Sequence, residues 1–262
     1  MTVLITGASA GIGEACARAL AARGCDLVLA ARRLEKLEAL AAELSAAHGI
    51  LVTTVFLDVS DRASAESLLE RAGNPTIDVL VNNAGLARGL APLQDNEPDD
   101  WDEMIDANVK GLLWVSRPIL RQMIARVSSD TTKNAHVVNL GSLAGVAAYP
   151  NGAVYCATKA AVKSISDGLR QDVAAYPIRV TLIQPGMVET EFSQVRFRGD
   201  VERAKSVYRG IQPLTGADIA DLVVYAVMAP PHVQITELTV TATHQANAFT
   251  VFRQAPSERL LR

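Results

Sequence analysis

Residues 5–20 read ITGASAGIGEACARAL and join an apolar strand to a helix through a turn that contains three glycines. Gly7, Gly11 and Gly13 let the backbone turn tightly and approach a pyrophosphate, and the following helix offers unpaired N–H groups and a partial positive charge. The spacing is G-x-x-x-G-x-G rather than the common G-x-G-x-x-G. Glycine that merely loosens a surface turn is the alternative, but the position between the first strand and the first helix favours nucleotide binding.

Beyond this turn, short apolar or β-branched runs alternate with long segments rich in Ala, Leu and Glu. Most of the runs are apolar throughout, which is typical of strands buried on both faces of a parallel sheet. The predicted strands are 3–6, 26–31, 51–57, 78–82, 136–140, 178–183 and 235–240, and the predicted helices are 12–23, 33–48, 61–72, 98–127, 153–175 and 216–229. The alternation predicts an α/β fold with right-handed crossovers. We expect a single-domain Rossmann-type doubly wound parallel sheet of about seven strands, with helices on both faces.

One domain is predicted over residues 1–262, because no linker-like stretch, low-complexity stretch or internal repeat interrupts the pattern. Residues 186–200 and the tail after about residue 242 fit the alternation less well. Long irregular connections in a compact domain tend to be lids or binding loops. We therefore predict a substrate lid near residues 186–210.

Composition argues against several classes of function. The formal net charge is −3 and the basic residues are scattered, so we expect neither nucleic acid nor an anionic membrane as a partner. No apolar run approaches the roughly 18 residues of a membrane helix, and the N-terminus lacks the features of a secretory signal. Cys16, Cys25 and Cys156 lack metal-ligand spacing, and we interpret them as reduced thiols of a cytoplasmic protein without a metal site.

The end of the second strand indicates which nucleotide the glycine turn binds. A site for NAD carries Asp or Glu there to hold the ribose 2′-hydroxyl, whereas this chain carries Arg32 and Arg33. Two guanidinium groups suit a 2′-phosphate, so the sequence predicts NADP(H) as cofactor. NAD(H), with two merely solvated arginines, is the alternative. Asp58 ends the third strand, where it could accept a hydrogen bond from the adenine or cap the helix at 61.

Tyr155 and Lys159 lie four positions apart in the predicted helix 153–175 and therefore share a face. A free phenol has a pKa of about 10, whereas an efficient general acid or base titrates nearer to about 7. A neighbouring ammonium favours the phenolate, so we expect Lys159 to lower the pKa of Tyr155. Ser142 closes the strand HVVNLGS at the carboxyl edge of the sheet, where open α/β sheets bind ligands. Taken alone, Ser142 is explained better as a turn or cap residue.

Six motifs occur in the order that is found in one family. They are TGASAGIG (6–13), NNAG (82–85), DANVKG (106–111), Ser142, YCATK (155–159) and PGMVET (185–190). With these motifs the chain resembles the short-chain dehydrogenases/reductases over essentially its whole length. The resemblance implies an oxidoreductase that interconverts a hydroxyl and a carbonyl of a small molecule by hydride transfer, and it implies a homotetramer.

The resemblance also implies a role for each matching residue. Tyr155 is expected to be the general acid/base, Lys159 to lower its pKa and bind the nicotinamide ribose, and Ser142 to polarise the substrate carbonyl. Asn108 is expected to anchor a water that links Lys159 to solvent. The residues expected to bind the cofactor are Gly7, Ser9, Gly11, Ile12, Gly13, Asp58, Val59, Asn83, Ala84, Gly85, Pro185, Gly186, Val188 and Thr190. Ala10 replaces the Arg or Lys that the family commonly carries inside the glycine turn, so the prediction of NADP(H) rests on Arg32 and Arg33.

The segments AARRLEKLEAL (30–40) and TEFSQVRFRGD (190–200) resemble the NADP-dependent 3-hydroxy acid dehydrogenases, of the serine 3-dehydrogenase and allo-threonine dehydrogenase type. A substrate carboxylate would call for an arginine. Arg88, Arg196 and Arg198 are the candidates, although each is explained as well by a solvated loop charge, and of these we select Arg196. The alternatives are a carbonyl reductase for uncharged or hydrophobic ketones and aldehydes, and a non-catalytic NADPH-binding regulator.

Overall fold

The computed structural model describes residues 1–130 and 132–254, so the predicted domain over 1–262 includes residue 131 and residues 255–262, which lie outside the described residues. A seven-stranded sheet, in which every neighbouring pair is parallel, forms the centre of the molecule. The strands are β1 (Thr2–Thr6), β2 (Asp26–Ala31), β3 (Val52–Phe56), β4 (Val79–Asn82), β5 (Ala135–Leu140), β6 (Ile178–Pro185) and β7 (Glu237–Val240). Their order across the sheet is β3-β2-β1-β4-β5-β6-β7.

Helices connect successive strands, as parallel pairing requires. They are α1 (Gly11–Ala21), α2 (Leu34–His48), α3 (Arg62–Glu66), α4 (Leu68–Arg71), α5 (Pro98–Ile105), α6 (Gly111–Ser129), α7 (Ala153–Asp172), α8 (Phe192–Arg196), α9 (Val201–Ser206) and α10 (Gly216–Met228). Among residues 1–130 and 132–254, no helix is both long enough and apolar enough to cross a membrane.

The predicted fold class is confirmed, and apart from small shifts at the ends of elements the differences from the prediction include three segments. The predicted helix 61–72 is divided at Ser67 into α3 and α4. The predicted helix 98–127 contains a π-helical turn, Asp106–Lys110, between α5 and α6. The predicted lid near 186–210 contains two short helices, α8 and α9, that the sequence did not indicate.

Two apolar clusters cover the two faces of the sheet, because alternate residues of each strand point to opposite sides. Ile5 of β1 packs in the cluster formed with α1, α2 and α10. Leu4, its neighbour in sequence, packs in the cluster formed with α3, α4 and α6. Both side chains are fully buried, and burial of each such side chain contributes roughly 1.5–3 kcal/mol to folding. The result is a doubly wound, three-layer molecule.

A chain of buried polar side chains crosses the sheet and holds α7 in place. Asn82 of β4 donates hydrogen bonds to Ser116 of α6 and to Asn139 of β5, each at 2.9 Å. Asn139 in turn donates to Ser166 of α7 at 2.9 Å, and Ser166 donates to the carbonyl of Val162. Because buried amides without partners are costly, this network fixes the position of α7 against β4 and β5.

Candidate active site

A cavity of about 890 Å³ lies outside the carboxyl ends of β1, β4, β5 and β6. The strands β2 and β3 lie on one side of β1, whereas β4 to β7 lie on the other, so the strand order changes direction between β1 and β4. Open α/β sheets bind ligands at such a switch point. The cavity extends from the glycine turn after β1 to Arg196 of α8. Of the residues predicted to bind cofactor or substrate, all except Gly13 line it, and the predicted catalytic residue Asn108 does not.

The glycine turn after β1 has the backbone shape that its sequence predicts. Gly7 and Gly11 have φ of +66° and +58°, a left-handed conformation that favours glycine. Gly13 lies behind the cavity wall, where an added Cβ would collide with the Gly7 carbonyl and the Asn83 side chain. The amide of Asn83 donates to the carbonyls of Thr6 and Gly7 at 2.8 and 3.2 Å, which joins the turn to the segment after β4.

The N-terminus of α1 opens on the same cavity. Gly11 begins this 11-residue helix, and Ala10 at the N-cap has no side chain that can accept from the first amides. Natural helices usually place Ser, Thr, Asp or Asn at this position. An uncapped N-terminus next to a glycine turn is suited to an anionic group such as a pyrophosphate.

Arg32 and Arg33 follow β2 at the wall of the cavity. The Nε of Arg33 donates to the Ser9 hydroxyl at 3.2 Å, so this arginine contacts the glycine turn directly. Asp58 also lines the cavity, and its carboxylate accepts from the backbone N–H and the hydroxyl of Ser60. The cap of α3 is Asp61, so the alternative interpretation of Asp58 as the cap of that helix is wrong.

Tyr155, near the start of α7, is buried at the cavity wall, and its ring packs 5.6 Å from the ring centroid of Phe192. Burial raises the pKa of the Tyr155 phenol above its ordinary value, whereas the Ser142 hydroxyl and the Arg196 guanidinium lower it in part. Ser142 caps the turn Leu143–Gly145 and also lines the cavity. Ser142 is thus both the cap residue and a wall residue of the site.

Lys159 lies one turn after Tyr155 on α7 and lines the same cavity. Its ammonium donates to the carbonyl of Leu140 at the end of β5, at 2.9 Å, and burial lowers the pKa of Lys159 to about 8. Burial is the largest influence on the pKa of Tyr155, and Ser142 and Arg196 oppose it. The lowering of the Tyr155 pKa by Lys159 stays a prediction.

Asn108 lies in the π-helical turn and is buried behind the cavity wall. Its amide nitrogen donates to the Leu86 carbonyl at 2.8 Å and to the Thr158 hydroxyl at 3.0 Å, and its oxygen accepts from the Leu86 N–H at 2.8 Å. The Thr158 hydroxyl donates to the carbonyl of Tyr155. Asn108 therefore connects the segment after β4 to the first turn of α7.

Arg196 ends α8 and lies against the rings of Tyr149 and Tyr155, with its guanidinium carbon 5.6 and 5.8 Å from their centroids. Its Nε donates to the Gly89 carbonyl at 2.7 Å and one terminal nitrogen donates to the Tyr149 hydroxyl at 3.0 Å. These two bonds leave a terminal amino group to bind an anion in the cavity. The guanidinium is thus a fixed cation beside the Tyr155 phenol.

The other two candidate arginines are committed elsewhere. Arg88 forms an ion pair with Glu103 and donates to the Val195 carbonyl. Arg198 forms an ion pair with Asp100. Of the three candidates, Arg196 is therefore the one that the structure leaves able to meet a substrate.

The segment after β6 forms the wall next to Tyr155. Pro185, Gly186, Val188 and Thr190 all line the cavity, and Val188 pairs with Leu214 in an isolated bridge. A Cβ at Gly186 would meet the end of the Gln245 side chain, which would then have to move. Thr190 packs against Gly11, so this segment closes over the glycine turn.

Sequence reasoning missed several residues that line the cavity. Tyr149 holds Arg196, Phe192 packs on Tyr155, and Gln245 accepts from the Met187 N–H at 2.8 Å. Each of them lies far along the chain from its partner or in a segment without periodicity. The local pattern therefore carried no signal for them.

A model of the short chain dehydrogenase family matches residues 1–200. The chain belongs to the short-chain dehydrogenase family. Membership confirms the family and the oxidoreductase class that the six motifs predicted. The cavity described above therefore lies in the fold of a short-chain dehydrogenase.

Relatives of this short-chain dehydrogenase match it over nearly its whole length. Sulfoacetaldehyde reductase 2 of Chromohalobacter salexigens is 42% identical over 96% of this chain and 98% of that protein. The NADP-dependent 3-hydroxy acid dehydrogenase of Salmonella typhi is 43% identical over 95% of this chain and 97% of its own. A solved structure, the closed form of serine dehydrogenase complexed with NADP⁺, has a TM-score of 0.87 at 40% identity and covers 97% of this chain and 100% of that one.

Proposed function

We propose that this short-chain dehydrogenase uses NADP(H) to interconvert a hydroxyl and a carbonyl group on a small anionic molecule, such as a 3-hydroxy acid. The observation that carries the proposal is the Arg196 guanidinium, held by Gly89 and Tyr149 beside the Tyr155 ring. It puts a fixed positive charge next to Tyr155, which lines the same cavity as Ser142 and Lys159. The names of the relatives support it, since sulfoacetaldehyde, serine and 3-hydroxy acids all carry an acidic group.

The residues of the cavity fit NADP(H). The uncapped N-terminus of α1 and the turn at Gly7 and Gly11 suit the pyrophosphate, and the exposed Arg32 suits a 2′-phosphate. Asp58, Val59 and residues 83–85 would hold the adenosine, and residues 185–190 would hold the nicotinamide. When bound, NADP(H) supplies the hydride that the reaction transfers.

The protein's own side chains handle the proton. In the reduction direction the Tyr155 hydroxyl gives its proton to the carbonyl oxygen of the substrate, and in oxidation the phenolate takes the hydroxyl proton. The Ser142 hydroxyl hydrogen-bonds the same substrate oxygen. Lys159 keeps two N–H donors beyond its bond to Leu140, and these would bind the nicotinamide ribose. Asn108 is a positioning residue that fixes the start of α7 through Thr158.

The anionic group of the substrate binds Arg196. One terminal amino group of the guanidinium is available, and Tyr149 adds a hydroxyl that can donate in turn. Residues 186–210, which carry Arg196, then act as the lid over the substrate. Exclusion of water by such a lid strengthens the charge-assisted hydrogen bond.

A steady-state assay with NADPH and NADH tests this function. Substrate pairs should differ in the acidic group alone, for example 3-hydroxypropionate against 1-propanol, together with serine, allo-threonine and sulfoacetaldehyde. We expect turnover with the anionic members and NADP(H). Preference for uncharged ketones would instead indicate the carbonyl reductase alternative, and tight NADPH binding without turnover of any substrate would indicate a regulator.

We also propose that the protein acts as a homotetramer in the cytoplasm. Three free, buried cysteines support a reducing compartment, because none of them forms a disulfide. Ile105 of α5 and Leu113 of α6 are exposed apolar side chains, and such side chains support a contact between subunits on this face. Light scattering after gel filtration measures the mass and tests the tetramer.

A further inference from the structure

The carboxylate of Glu191 bridges two cations at the end of the cavity that carries the 2′-phosphate arginines. One oxygen of Glu191 lies 2.6 Å from a terminal nitrogen of Arg33, and the other lies 3.1 Å from the ammonium of Lys36. Arg33 also donates to Ser9 of the glycine turn. Glu191 immediately precedes α8, so the lid segment reaches the cofactor end of the site through this residue.

These ion pairs are weak enough to exchange partners. The side chains of Arg33, Lys36 and Glu191 are 46%, 51% and 41% exposed. Pairs with this exposure are worth little, because water and salt screen them. Burial alone would raise the pKa of Glu191, but the hydrogen bonds from Arg33 and Lys36 outweigh it and lower the pKa. The group is therefore a carboxylate at neutral pH.

Arg32 differs from its neighbour, because it forms no ion pair within the part of the chain that the structure describes. A 2′-phosphate would find Arg32 without a carboxylate partner among the described residues, whereas Arg33 and Lys36 already share the one carboxylate of Glu191. A phosphate is a stronger partner for Arg33 than a carboxylate, since it carries more charge and more acceptor oxygens. A phosphate that binds Arg33 would also be repelled by the Glu191 carboxylate, because both groups are negatively charged.

We propose that Glu191 is a cofactor-specificity residue whose carboxylate competes with the 2′-phosphate of NADP(H) for Arg33 and Lys36. Glu191 thereby weakens the binding of NADP(H) relative to that of NAD(H). It reduces the preference for NADP(H) over NAD(H) that the arginines provide. Lys36 is then a third cation of the 2′-phosphate site. When the Glu191 carboxylate moves away, both Arg33 and Lys36 become available to the phosphate. This inference rests on the proposed use of NADP(H), and the experiment separates the two.

The test compares two probes that differ only in the 2′-phosphate, adenosine 2′,5′-bisphosphate and 5′-AMP, by calorimetric titration of the full chain at low salt. Glu191→Gln should lower the Kd for adenosine 2′,5′-bisphosphate and for NADPH by about three- to tenfold, as expected for the loss of one exposed like charge. The Kd for 5′-AMP should change by less than about twofold. Raising the salt to 0.5 M should shrink the gain, because screening weakens exposed charge interactions.

Glu189→Gln is the matched control, since Glu189 is exposed, lies two positions away in the same segment and carries the same charge. We expect the Kd of this variant for each of the two probes to stay within about twofold of the Kd of the unaltered chain. An unchanged or higher Kd for adenosine 2′,5′-bisphosphate in Glu191→Gln overturns the inference alone. Failure of the unaltered chain to bind NADPH overturns the inference and the proposed function together.

A double-mutant cycle shows whether Glu191 acts through Arg33. In an Arg33→Gln background, Glu191→Gln should lower the logarithm of the Kd for adenosine 2′,5′-bisphosphate. The decrease should be less than half of the decrease that the same substitution causes in the unaltered chain. An equal gain in both backgrounds would mean a general effect of charge and would overturn the competition for Arg33.

Discussion

The guanidinium carbon of Arg196 lies 5.8 Å from the centroid of the Tyr155 ring. The first residue ends α8 in the predicted lid, and the second lies in the first turn of α7. Because a cation at this distance favours the phenolate, Arg196 lowers the pKa of Tyr155 while it faces the substrate cavity. In the proposed function, this one side chain would therefore both bind the negative charge of the substrate and influence the acid–base chemistry of Tyr155.

Arg196→Gln should raise KM for an anionic substrate far more than for an uncharged one. A charge-assisted hydrogen bond is worth roughly 1.5–3 kcal/mol, which corresponds to an increase in KM of about 10- to 150-fold. Initial rates with 3-hydroxypropionate and with 1-propanol measure the difference. Arg198→Gln is the control, because Arg198 carries the same charge in the same segment but pairs with Asp100. Equal increases for both substrates in Arg196→Gln would rule out the proposed carboxylate contact.

The same substitution should move the pH profile of alcohol oxidation. Burial raises the pKa of Tyr155, and Arg196 opposes this rise, so removal of the guanidinium raises the pKa further. Oxidation needs the phenolate, and its rate should therefore reach its plateau at a higher pH in Arg196→Gln. The profile of kcat for an uncharged alcohol isolates this effect from substrate binding. Arg196→Lys keeps the charge and should show a smaller shift, and a profile that does not move in Arg196→Gln would contradict the link.

Tyr155→Phe removes the phenolic hydroxyl and leaves the ring that packs against Phe192. General acid–base catalysis contributes about 10²- to 10⁴-fold, so kcat should fall by at least that factor. NADPH binding, measured by fluorescence titration, should stay within about twofold. A variant that turns over at a near-normal rate would show that another group transfers the proton.

Gly13→Ala should both destabilise the protein and weaken NADPH binding. A Cβ at Gly13 meets the Gly7 carbonyl and the Asn83 amide, so the glycine turn must move. Overpacking of this kind costs about 1–3 kcal/mol of the free energy of unfolding. Gly168→Ala is the matched control, because the added methyl in α7 meets no atom within 4 Å other than those of its chain neighbours and the backbone of its own helix. That change should leave binding unaltered and stabilise the helix slightly.

The sequence predicted the strands well and the glycine turn in detail, for a physical reason. Strands buried on both faces must be apolar throughout, and a left-handed turn such as Gly7 requires glycine, so both leave local signals. The π-helical turn at Asp106–Lys110 leaves none, because one residue inserted into a helix does not change its composition. The helices α8 and α9 are too short to show a period.

Site residues divide in the same way. The location of Arg32 and Arg33 at the cavity was predictable, since the position after β2 has a meaning in any dinucleotide site. The bond from Arg33 to Glu191 was not, because its partners are 158 positions apart. Tyr149 and its bond to Arg196 were missed for the same reason. The raised pKa of Tyr155 follows from burial by Phe192 and its neighbours, which spacing within one helix cannot reveal.

His136 of β5 makes the stability of the protein sensitive to acid. The ring is fully buried, and its Nε2 lies 2.8 Å from the Thr181 hydroxyl. Because Thr181 donates its only proton to the Ile235 carbonyl, Nε2 of His136 must carry the proton of the neutral ring. Nδ1 is buried and has no partner among the described residues. Burial, together with the nearby Arg179, lowers the pKa of His136 to about 3.

A histidine in the unfolded chain has a pKa of about 6.5. Below that pH the unfolded chain binds a proton at residue 136, whereas the folded protein keeps His136 neutral. The free energy of unfolding should therefore fall by about 1.4 kcal/mol per pH unit below 6.5, until the pH approaches 3. Urea unfolding at pH 7 and at pH 5 should show a loss of about 2 kcal/mol from this residue. His136→Gln lacks the titrating ring and should lose correspondingly less between these two pH values, even if it is less stable at both. An equal loss in the variant would show that other groups cause the sensitivity to acid.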